Sequence, residues 1–300
     1  MNVKFDCIIP VAGKDCPLLR NLVSLVLKNI DPDKLYIITK APFFFHFRNL
    51  EPVIQKKIIL INEDDLLTNV NYNTIAGYLD KVGLNKDARG WYFQQFLKMG
   101  FALSGYADKY YLTFDADTYP VKPLVFFNEE GLPYFSMKEE HHKPYFMTME
   151  KLLNLRKSTE QSFISENMLI DVQMMKQLIA EIEQSTVDGD NWCEKIINAL
   201  PMHEVNAFSE FETYGTYVLN RFPGTYEMRT LKTFRRAGKK YSRFISPKKL
   251  EKKASAYDIV TLEYRNSPNN LMGLYLRLYK KMLLSKNAKL VSSYSKGIED

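Results

Sequence analysis

Strand-like and helix-like stretches alternate along the first two-thirds of the chain. Continuous apolar runs predict buried strands, and apolar residues that recur every three or four positions predict helices. The predicted strands cover residues 5–12, 34–40, 56–65 and 109–117, and the predicted helices cover residues 16–30, 90–105 and 166–183. Strands that alternate with helices favour an α/β fold, in which a mostly parallel sheet carries helices on both faces.

Polar residues follow each of the predicted strands. They occupy residues 12–15, Thr39 and Lys40, residues 62–65 and residues 115–118. In a parallel sheet the carboxyl ends of the strands lie along one edge, and ligands bind in the crevice outside that edge. The sequence therefore predicts that much of the unusual chemistry of the chain gathers there.

Asp115 and Asp117 are the most informative of these polar residues. They follow the apolar stretch YYLTF and precede a turn that contains Tyr119 and Pro120. Residues two apart in extended backbone point to the same side, so both carboxylates can face one crevice. Two neighbouring carboxylates repel each other, and a divalent cation such as Mg²⁺ or Mn²⁺ relieves that repulsion. The alternative is a solvated turn, in which Asp is common.

The segment YLTFDADTYPVKPLVFF resembles the D-x-D region of glycosyltransferases with the GT-A fold, and FDCIIPVAGKD resembles the first strand and nucleotide-binding loop of that fold. More narrowly, the segments GWYFQQFLK, FDADTYPVKP, HHKPYF and FSEFETYG are similar to those of a poorly characterised group of bacterial glycosyltransferase-like proteins from surface-polysaccharide loci. The resemblance covers about residues 3–228. It implies a GT-A-like, Rossmann-related fold.

The resemblance also implies a function. Asp115 and Asp117 would bind Mn²⁺ or Mg²⁺, and the metal would bridge the diphosphate of a nucleotide-sugar donor. Pro10, Ala12, Thr39 and Ala116 would lie beside that donor, and UDP is the default nucleotide. The acceptor would be a surface glycan, such as lipopolysaccharide, capsule or a lipid-linked oligosaccharide. Many enzymes of this fold complete the metal site with a histidine near the C-terminus, but the last histidine here is His203.

The helix at residues 90–105 presents two different stripes. Phe93, Phe96, Leu97, Gly100 and Phe101 form an apolar stripe that is expected in the core. On the opposite side, Trp91, Gln95 and Lys98 combine a ring, an amide and a cation. This stripe is either an ordinary solvent-facing surface or, as the resemblance favours, a donor-binding surface on which Lys98 offsets phosphate charge.

The stretch FSEFETYGTY allows two interpretations. In extended backbone, Glu210, Glu212 and Tyr214 share a face. In a helix, Ser209 and Glu212 make a capping box, and Glu212 is then structural. An inverting glycosyltransferase needs a carboxylate that takes the proton of the acceptor hydroxyl. We expect Glu210 to be this base or to bind the acceptor, with Glu212 as the second candidate and Tyr214 beside the acceptor.

His141 and His142 lie in the stretch EEHHKPYF. Adjacent histidines suit a zinc site poorly, because a strand points them apart and no matching His or Cys spacing accompanies them. They belong either to a solvated loop or to an acceptor-binding loop, in which His142 and Tyr145 hydrogen-bond to or stack on sugar.

Charge divides the chain unevenly. The net charge is +6, but residues 229–300 carry an excess of 13 positive charges and residues 1–228 an excess of 7 negative ones. We therefore predict a catalytic body, residues 1–228, and a basic, partly helical extension, residues 229–300. Within the extension, residues 271–282 have the pattern of a basic amphipathic helix, which suits either packing on the body or an anionic membrane surface. Nucleic acid is a weaker candidate, since no nucleic-acid-binding motif is present.

Composition points to the cytoplasm, with possible attachment to the cytoplasmic face of the inner membrane. Three irregularly placed cysteines, Cys7, Cys16 and Cys193, suit a reducing compartment. No secretory leader is expected, and no apolar segment approaches the length of a membrane-spanning helix.

Three other functions remain open. A phosphohydrolase of the haloacid-dehalogenase type also uses two aspartates spaced by one residue, but that motif normally ends the first strand. A nucleotidyltransferase that makes sugar nucleotides expects more glycines after the first strand than the single Gly13. A non-catalytic sugar-binding or assembly protein that keeps the fold is excluded only by activity.

Overall fold

The computed structural model describes residues 3–48, 50–68, 70–84, 86–157 and 159–263. Its strands are β1 (Asp6–Pro10), β2 (Leu35–Thr39), β3 (Ile58–Asn62), β4 (Tyr110–Phe114), β5 (Thr118–Pro120), β6 (Tyr134–Ser136), β7 (Asn167–Asp171), β8 (Glu227–Arg229), β9 (Thr233–Phe234) and β10 (Ile259–Thr261). Its α-helices are α1 (Cys16–Asn29), α2 (Pro52–Lys57), α3 (Tyr72–Lys81), α4 (Arg89–Gly100), α5 (Lys143–Leu153), α6 (Val172–Gln184), α7 (Trp192–Ala199), α8 (Glu210–Arg221) and α9 (Pro247–Lys253).

The central sheet has five strands in the order β3-β2-β1-β4-β7. The neighbours from β3 to β4 are parallel, whereas β7 runs antiparallel to β4. The predicted α/β fold with a mostly parallel sheet is therefore confirmed. The carboxyl ends of β1, β2, β3 and β4 lie along one edge of the sheet, and the predicted polar segments follow those four strands.

Helices cover both faces of this sheet. On one face α1 and α9 pack through residues such as Leu22 and Leu250, and on the other face the helices from α3 to α8 form a larger core that includes Phe96 and Tyr214. Strands β1, β2 and β4 are buried along their whole length. Burial on both faces explains why their sequences are continuously apolar instead of alternating with polar residues.

The helix predicted for residues 166–183 is wrong in its first third. Residues Asn167–Asp171 form β7, which pairs with β4, and the helix α6 begins only at Val172. Met168 and Leu169 are buried in the sheet and not on a helix face. The side chain of Asp171 accepts hydrogen bonds from the backbone N–H groups of Gln173 and Met174, which starts the helix at this point.

A second, small sheet ties the later part of the chain to the central one. Its order is β5-β10-β9, with β10 antiparallel to β5. Since β5 directly follows the Asp115–Asp117 turn, β10 brings residues 259–263 beside that turn. The predicted division of the chain at residue 228 stays a prediction. The predicted helix at residues 271–282 lies outside the described residues.

Candidate active site

Asp115, Ala116 and Asp117 form the turn that follows β4 at the carboxyl edge of the sheet. Two backbone hydrogen bonds hold the turn from opposite sides: Asp115 N donates to Glu166 O at 3.1 Å, and Leu262 N donates to Asp117 O at 2.8 Å. All three turn residues line a cavity of about 470 Å³, the central cavity. Of the residues singled out in the sequence, those that line it are Pro10, Ala12, Trp91, Gln95, Lys98, Asp115, Ala116, Asp117, Tyr145 and Glu210.

Lys98 is the central charge of this site. Its Nζ donates to Asp115 Oδ1 at 2.6 Å and to Glu210 Oε1 at 2.7 Å, and the side chain is only 4% exposed. Burial lowers the pKa of Lys98, but the two carboxylates outweigh burial and raise it above its ordinary value. The ammonium therefore stays charged, and two protein carboxylates already neutralise it. Lys98 also lines the central cavity, so the expectation that it offsets phosphate charge stays a prediction.

Glu210 occupies the first position of α8. The predicted helical cap is confirmed, because the Ser209 side chain accepts a hydrogen bond from Glu212 N. Glu210 N donates to the side-chain oxygen of Gln95 at 3.0 Å, which fixes the start of α8 against α4. Burial raises the pKa of the Glu210 carboxyl, while Lys98 lowers it. The site thus holds a buried carboxylate with one cation beside it.

Asp117 lies among several like charges. Burial, followed by the like charges of Asp115, Asp15 and Glu263, raises its pKa to about 7, against the opposing effect of Arg243. Within the described ranges, no three His, Cys, Asp or Glu side chains are already arranged as a metal site. The oxygens of Asp115 and Asp117 nevertheless fit a hard divalent cation, which takes its remaining ligands from water and substrate phosphates. A cation here would also relieve the repulsion that raises the pKa of Asp117.

Charged residues from distant parts of the chain complete the walls. Arg243 donates to Asp15 Oδ1 at 2.7 Å and is almost fully buried. Arg235 lines the central cavity, and its Nε lies 2.8 Å from Glu166 Oε1. Lys14, in the loop after β1, lies on the same wall. These side chains place positive charge around the two aspartates.

Two neighbouring cavities open beside the central one. The lateral cavity, of about 390 Å³, lies at the ends of β1, β2 and β3 and is bounded by Gly13, Lys40, Phe43, Glu63 and Tyr72 among other residues. The C-terminal cavity, of about 690 Å³, is lined by residues from the central turn and by Asn206, Arg243, Thr261 and Glu263 among others. The central cavity shares lining residues with each of these two neighbours, so a ligand in the central cavity can extend towards either of them.

Four predicted site residues lie elsewhere. Thr39 is fully buried, and its Oγ1 is 3.6 Å from Cys16 Sγ. Glu212 is fully buried and accepts from Ser162 Oγ at 2.7 Å and from Phe163 N at 3.0 Å, which is a structural role. The last two, Tyr214 and His142, are also held by protein groups away from the central cavity.

Tyr214 lies in the core and does not line the central cavity. Its hydroxyl accepts a hydrogen bond from Asp171 N at 2.9 Å and contacts the hydroxyl of Tyr226. His142 precedes α5, and its Nε2 lies 2.6 Å from Asn206 O. Its ring packs edge-on against Tyr145, with 4.5 Å between ring centroids. His142 therefore supports Tyr145, which does line the central cavity.

Sequence reasoning missed Glu166, Arg235, Arg243 and Glu263. Glu166 was placed in a predicted helix, although the residue lies just before β7 and beside Asp115. The other three belong to the basic extension, and the order of residues along the chain gives no sign that they would reach the central turn. The positive charge of that segment was the only available signal.

No α-helix in the part of the chain described here has the length and apolar character needed to span a membrane.

Comparison with solved structures identifies the class of the fold. The chain is similar to the galactosyltransferase LgtC, crystallised with donor and acceptor sugar analogues, with a TM-score of 0.50 and 11% identity over 94% of this chain and 96% of LgtC. The fold is therefore the GT-A fold, as the sequence resemblance predicted.

Two further structures are also similar. Core-mannan synthase A (CmsA/Ktr4) of Aspergillus fumigatus, in its Mn/GDP form, has a TM-score of 0.48 and 11% identity over 76% of this chain and 73% of that chain. Mouse xyloside xylosyltransferase 1, in its apo form, has a TM-score of 0.44 and 10% identity over 89% of this chain and 100% of that chain.

The family of the chain follows from its sequence. Residues 13–237 match DUF6492, described as a family of unknown function, and the chain belongs to this family. No curated protein matches it in sequence.

Proposed function

We propose that the protein is a metal-dependent glycosyltransferase, which moves a sugar from a nucleoside-diphosphate donor to a hydroxyl group of a glycan. The observation that carries the proposal is the convergence of Asp115, Asp117, Lys98 and Glu210 on one cavity at the carboxyl edge of a GT-A sheet. This arrangement combines a candidate cation site with a buried carboxylate that has the chemistry of a general base.

Asp115 and Asp117 would hold Mn²⁺ or Mg²⁺. Such an ion stabilises the negative charge that develops on the diphosphate leaving group when the bond to the sugar breaks. Lys98 holds Asp115 through one oxygen, which leaves the second carboxylate oxygen of Asp115 available to the ion. Lys14 and Arg235, on the cavity walls, add positive charge for the phosphates.

Glu210 is the proposed base, and the acceptor hydroxyl would approach it across the central cavity. Its ion pair with Lys98 orients the carboxylate and lowers its pKa against the larger effect of burial, while Gln95 fixes the backbone at the same residue. Trp91 and Tyr145 provide ring surfaces on which sugars stack. In a retaining enzyme Glu210 would instead stabilise positive charge on the donor sugar, and the roles of the other residues are unchanged.

The acceptor and the place of action follow from the resemblance. Surface glycans such as lipopolysaccharide, capsule or lipid-linked oligosaccharides are the proposed acceptors. Such acceptors lie at the cytoplasmic face of the inner membrane, where the basic extension would meet anionic lipid. The resemblance makes uridine the default base of the donor, but no contact in the central cavity depends on that choice.

The proposal is tested by thermal unfolding with UDP, GDP, ADP, CDP and their common sugar conjugates, each with Mn²⁺ and with EDTA. A ligand at a hundred times its dissociation constant adds about 2.7 kcal/mol to the free energy of unfolding. We expect at least one nucleoside diphosphate to raise the Tm only with metal, and Asp117→Asn to abolish that shift. Asp64→Asn, which changes an exposed carboxylate outside the central cavity, is the matched control.

The other functions predict different results. If no nucleotide stabilises the protein under any condition, the transferase proposal is wrong. Release of inorganic phosphate from a phosphorylated substrate without nucleotide binding would favour the phosphohydrolase. Nucleotide-sugar binding without transfer to any glycan would favour a non-catalytic binding protein.

A further inference from the structure

The lateral cavity has the chemistry of a site for a flat, partly polar ring. Its walls are mostly apolar and include Val11, Phe43, Tyr72, Phe93 and Leu97. It shares Pro10, Ala12, Gly90 and Gln94 with the central cavity. A ligand whose phosphates lie beside Asp115 and Asp117 can therefore extend directly into it.

Aromatic rings bound this cavity at close quarters. Phe43 packs so closely on the loop after β1 that a Cβ atom on Gly13 would lie 2.2 Å from the ring, so a larger residue at this position would have to displace Phe43. Tyr72 meets Phe93 edge-on with 5.9 Å between centroids. Lys40 also lies over the ring of Tyr72, with 5.2 Å between its Nζ and the ring centroid. Rings of this kind stack on or pack around a planar base.

Glu63 is the carboxylate that lines this cavity. It directly follows β3, and its side chain is 12% exposed. Its Oε1 lies 4.0 Å from Lys40 Nζ, which is beyond hydrogen-bond distance. Burial raises the pKa of Glu63 to about 7, against the opposing effect of Lys40. A largely buried carboxylate whose ion-pair partner among the described residues lies beyond hydrogen-bond distance is stabilised by a ligand that donates hydrogen bonds to it.

Resting on the proposed function, we infer that the lateral cavity binds the base of the donor and that Glu63 selects guanine. Guanine presents two parallel donors, its ring N1–H and its exocyclic amino group, and a carboxylate accepts two such bonds side by side. Uracil presents one N–H between two carbonyl oxygens, which repel the second carboxylate oxygen. Adenine and cytosine place a ring nitrogen acceptor next to their amino group, and this nitrogen likewise repels the second carboxylate oxygen.

The spacing of the strands agrees with this placement. Glu63 follows β3 and Asp115 follows β4, and these strands are three positions apart in the sheet. Neighbouring strands lie 4.7–4.9 Å apart, so the separation is about 14 Å. An extended nucleoside diphosphate covers a comparable span between the edge of its base and its second phosphorus. Because a purine is longer than a pyrimidine, GDP bridges this span better than UDP.

The test is equilibrium binding of GDP, IDP, UDP and ADP to the full chain with Mn²⁺, measured by calorimetry. IDP lacks only the exocyclic amino group of guanine and therefore isolates the second hydrogen bond. A hydrogen bond to a charged group corresponds to roughly ten- to hundredfold in affinity. We expect GDP to bind at least tenfold more tightly than UDP, ADP and IDP. Glu63→Gln removes these preferences, whereas the adjacent Asp64→Asn retains them.

Each outcome separates this inference from the proposed function. If UDP binds the wild type as tightly as GDP, the selection of guanine by Glu63 is wrong and the transferase proposal stands. The same holds if Glu63→Gln has a native circular dichroism spectrum and an unchanged affinity for GDP. If GDP is preferred but needs no metal and is insensitive to Asp117→Asn, the guanine site stands and the transferase proposal is wrong. If no nucleoside diphosphate binds, both are overturned.

Discussion

The Lys98 ammonium lies 2.7 Å from Glu210 Oε1, and both side chains are almost completely buried. Removing one partner of such a pair leaves an uncompensated charge in the interior, which typically costs 3–5 kcal/mol. We therefore expect Lys98→Met to lower the free energy of unfolding by about 3–5 kcal/mol, because Asp115 and Glu210 both lose their cation. Urea unfolding at pH 7.5 measures this change.

A double-mutant cycle distinguishes the pair from ordinary packing. Lys98→Met combined with Glu210→Gln should lose at least about 1 kcal/mol less than the sum of the two single variants, since the second change removes a charge that the first left unpaired. Additive losses would show that the contact carries no coupling and would leave Glu210 without the positioning proposed for it.

Substitutions of Glu210 and Glu212 should have different effects, the first on sugar transfer and the second on stability. Glu212 accepts two hydrogen bonds in the core, so Glu212→Gln should lower the free energy of unfolding by about 1–2 kcal/mol and leave the nucleotide-dependent Tm shift intact. Glu210→Gln should retain that shift and lose transfer by a hundredfold or more, which is typical for a general base. Steady-state transfer and thermal unfolding of both variants check this. If Glu212→Gln loses transfer and Glu210→Gln loses only stability, Glu212 is the base and Glu210 is structural.

The central sheet could be predicted because its strands are local features. The segments around β1, β2, β3 and β4 are continuous apolar runs, and each is followed by polar residues at the edge where ligands bind. β7 was missed because Met168, Leu169 and Val172 also fit the spacing of one helix face. Only pairing with β4, which is set by residues more than fifty positions away, decides between the two.

The residues of the candidate site could be predicted only where several of them lie in one segment of the sequence. Asp115 and Asp117 share a turn, and Trp91, Gln95 and Lys98 share a helix face, so spacing alone groups them. Glu263 reaches the site because β10 pairs with β5, and Arg243 reaches it in an ion pair with Asp15; both are long-range contacts that no local pattern encodes. The burial of Tyr214 was likewise not predictable, since Glu210 at the start of α8 lines the central cavity whereas Tyr214, one turn later, is fully buried in the core.

Glu63 should make the stability of the protein depend on pH. Its pKa is about 7 in the folded chain against an ordinary value of 4.5, so folding is penalised once pH exceeds 4.5, and the penalty is complete above about pH 7. Lys40 reduces this shift, Asp64 increases it, and the nearby Cys16 thiol is uncharged in this range because burial raises its pKa to about 12. The full penalty is at most about 3–4 kcal/mol, at about 1.36 kcal/mol for each pKa unit.

Glu63→Gln removes the titrating group and should therefore match the wild type at pH 4 and exceed its stability above pH 7. Urea unfolding between pH 4 and 8 measures the difference, which should widen with rising pH. Asp64→Asn should give a much flatter difference curve. A constant difference between wild type and Glu63→Gln across this range would show that Glu63 titrates normally and is not held in a desolvated site.

Gly215 and Gly77 should respond to alanine in opposite directions. Gly215 lies in α8 where a Cβ atom would be 2.3 Å from the buried ring of Phe163, whereas a Cβ on Gly77 in α3 meets no atom within 4 Å. Gly215→Ala should lower the free energy of unfolding by about 1–3 kcal/mol, because the ring must move within a packed core. Gly77→Ala should raise it by about 0.5–1 kcal/mol through helix propensity. Phe163 is followed by Ile164 and Ser165, which line the central cavity. Gly215→Ala should therefore also weaken the nucleotide-dependent Tm shift. An unchanged shift would show that this part of the cavity wall does not depend on the packing of α8.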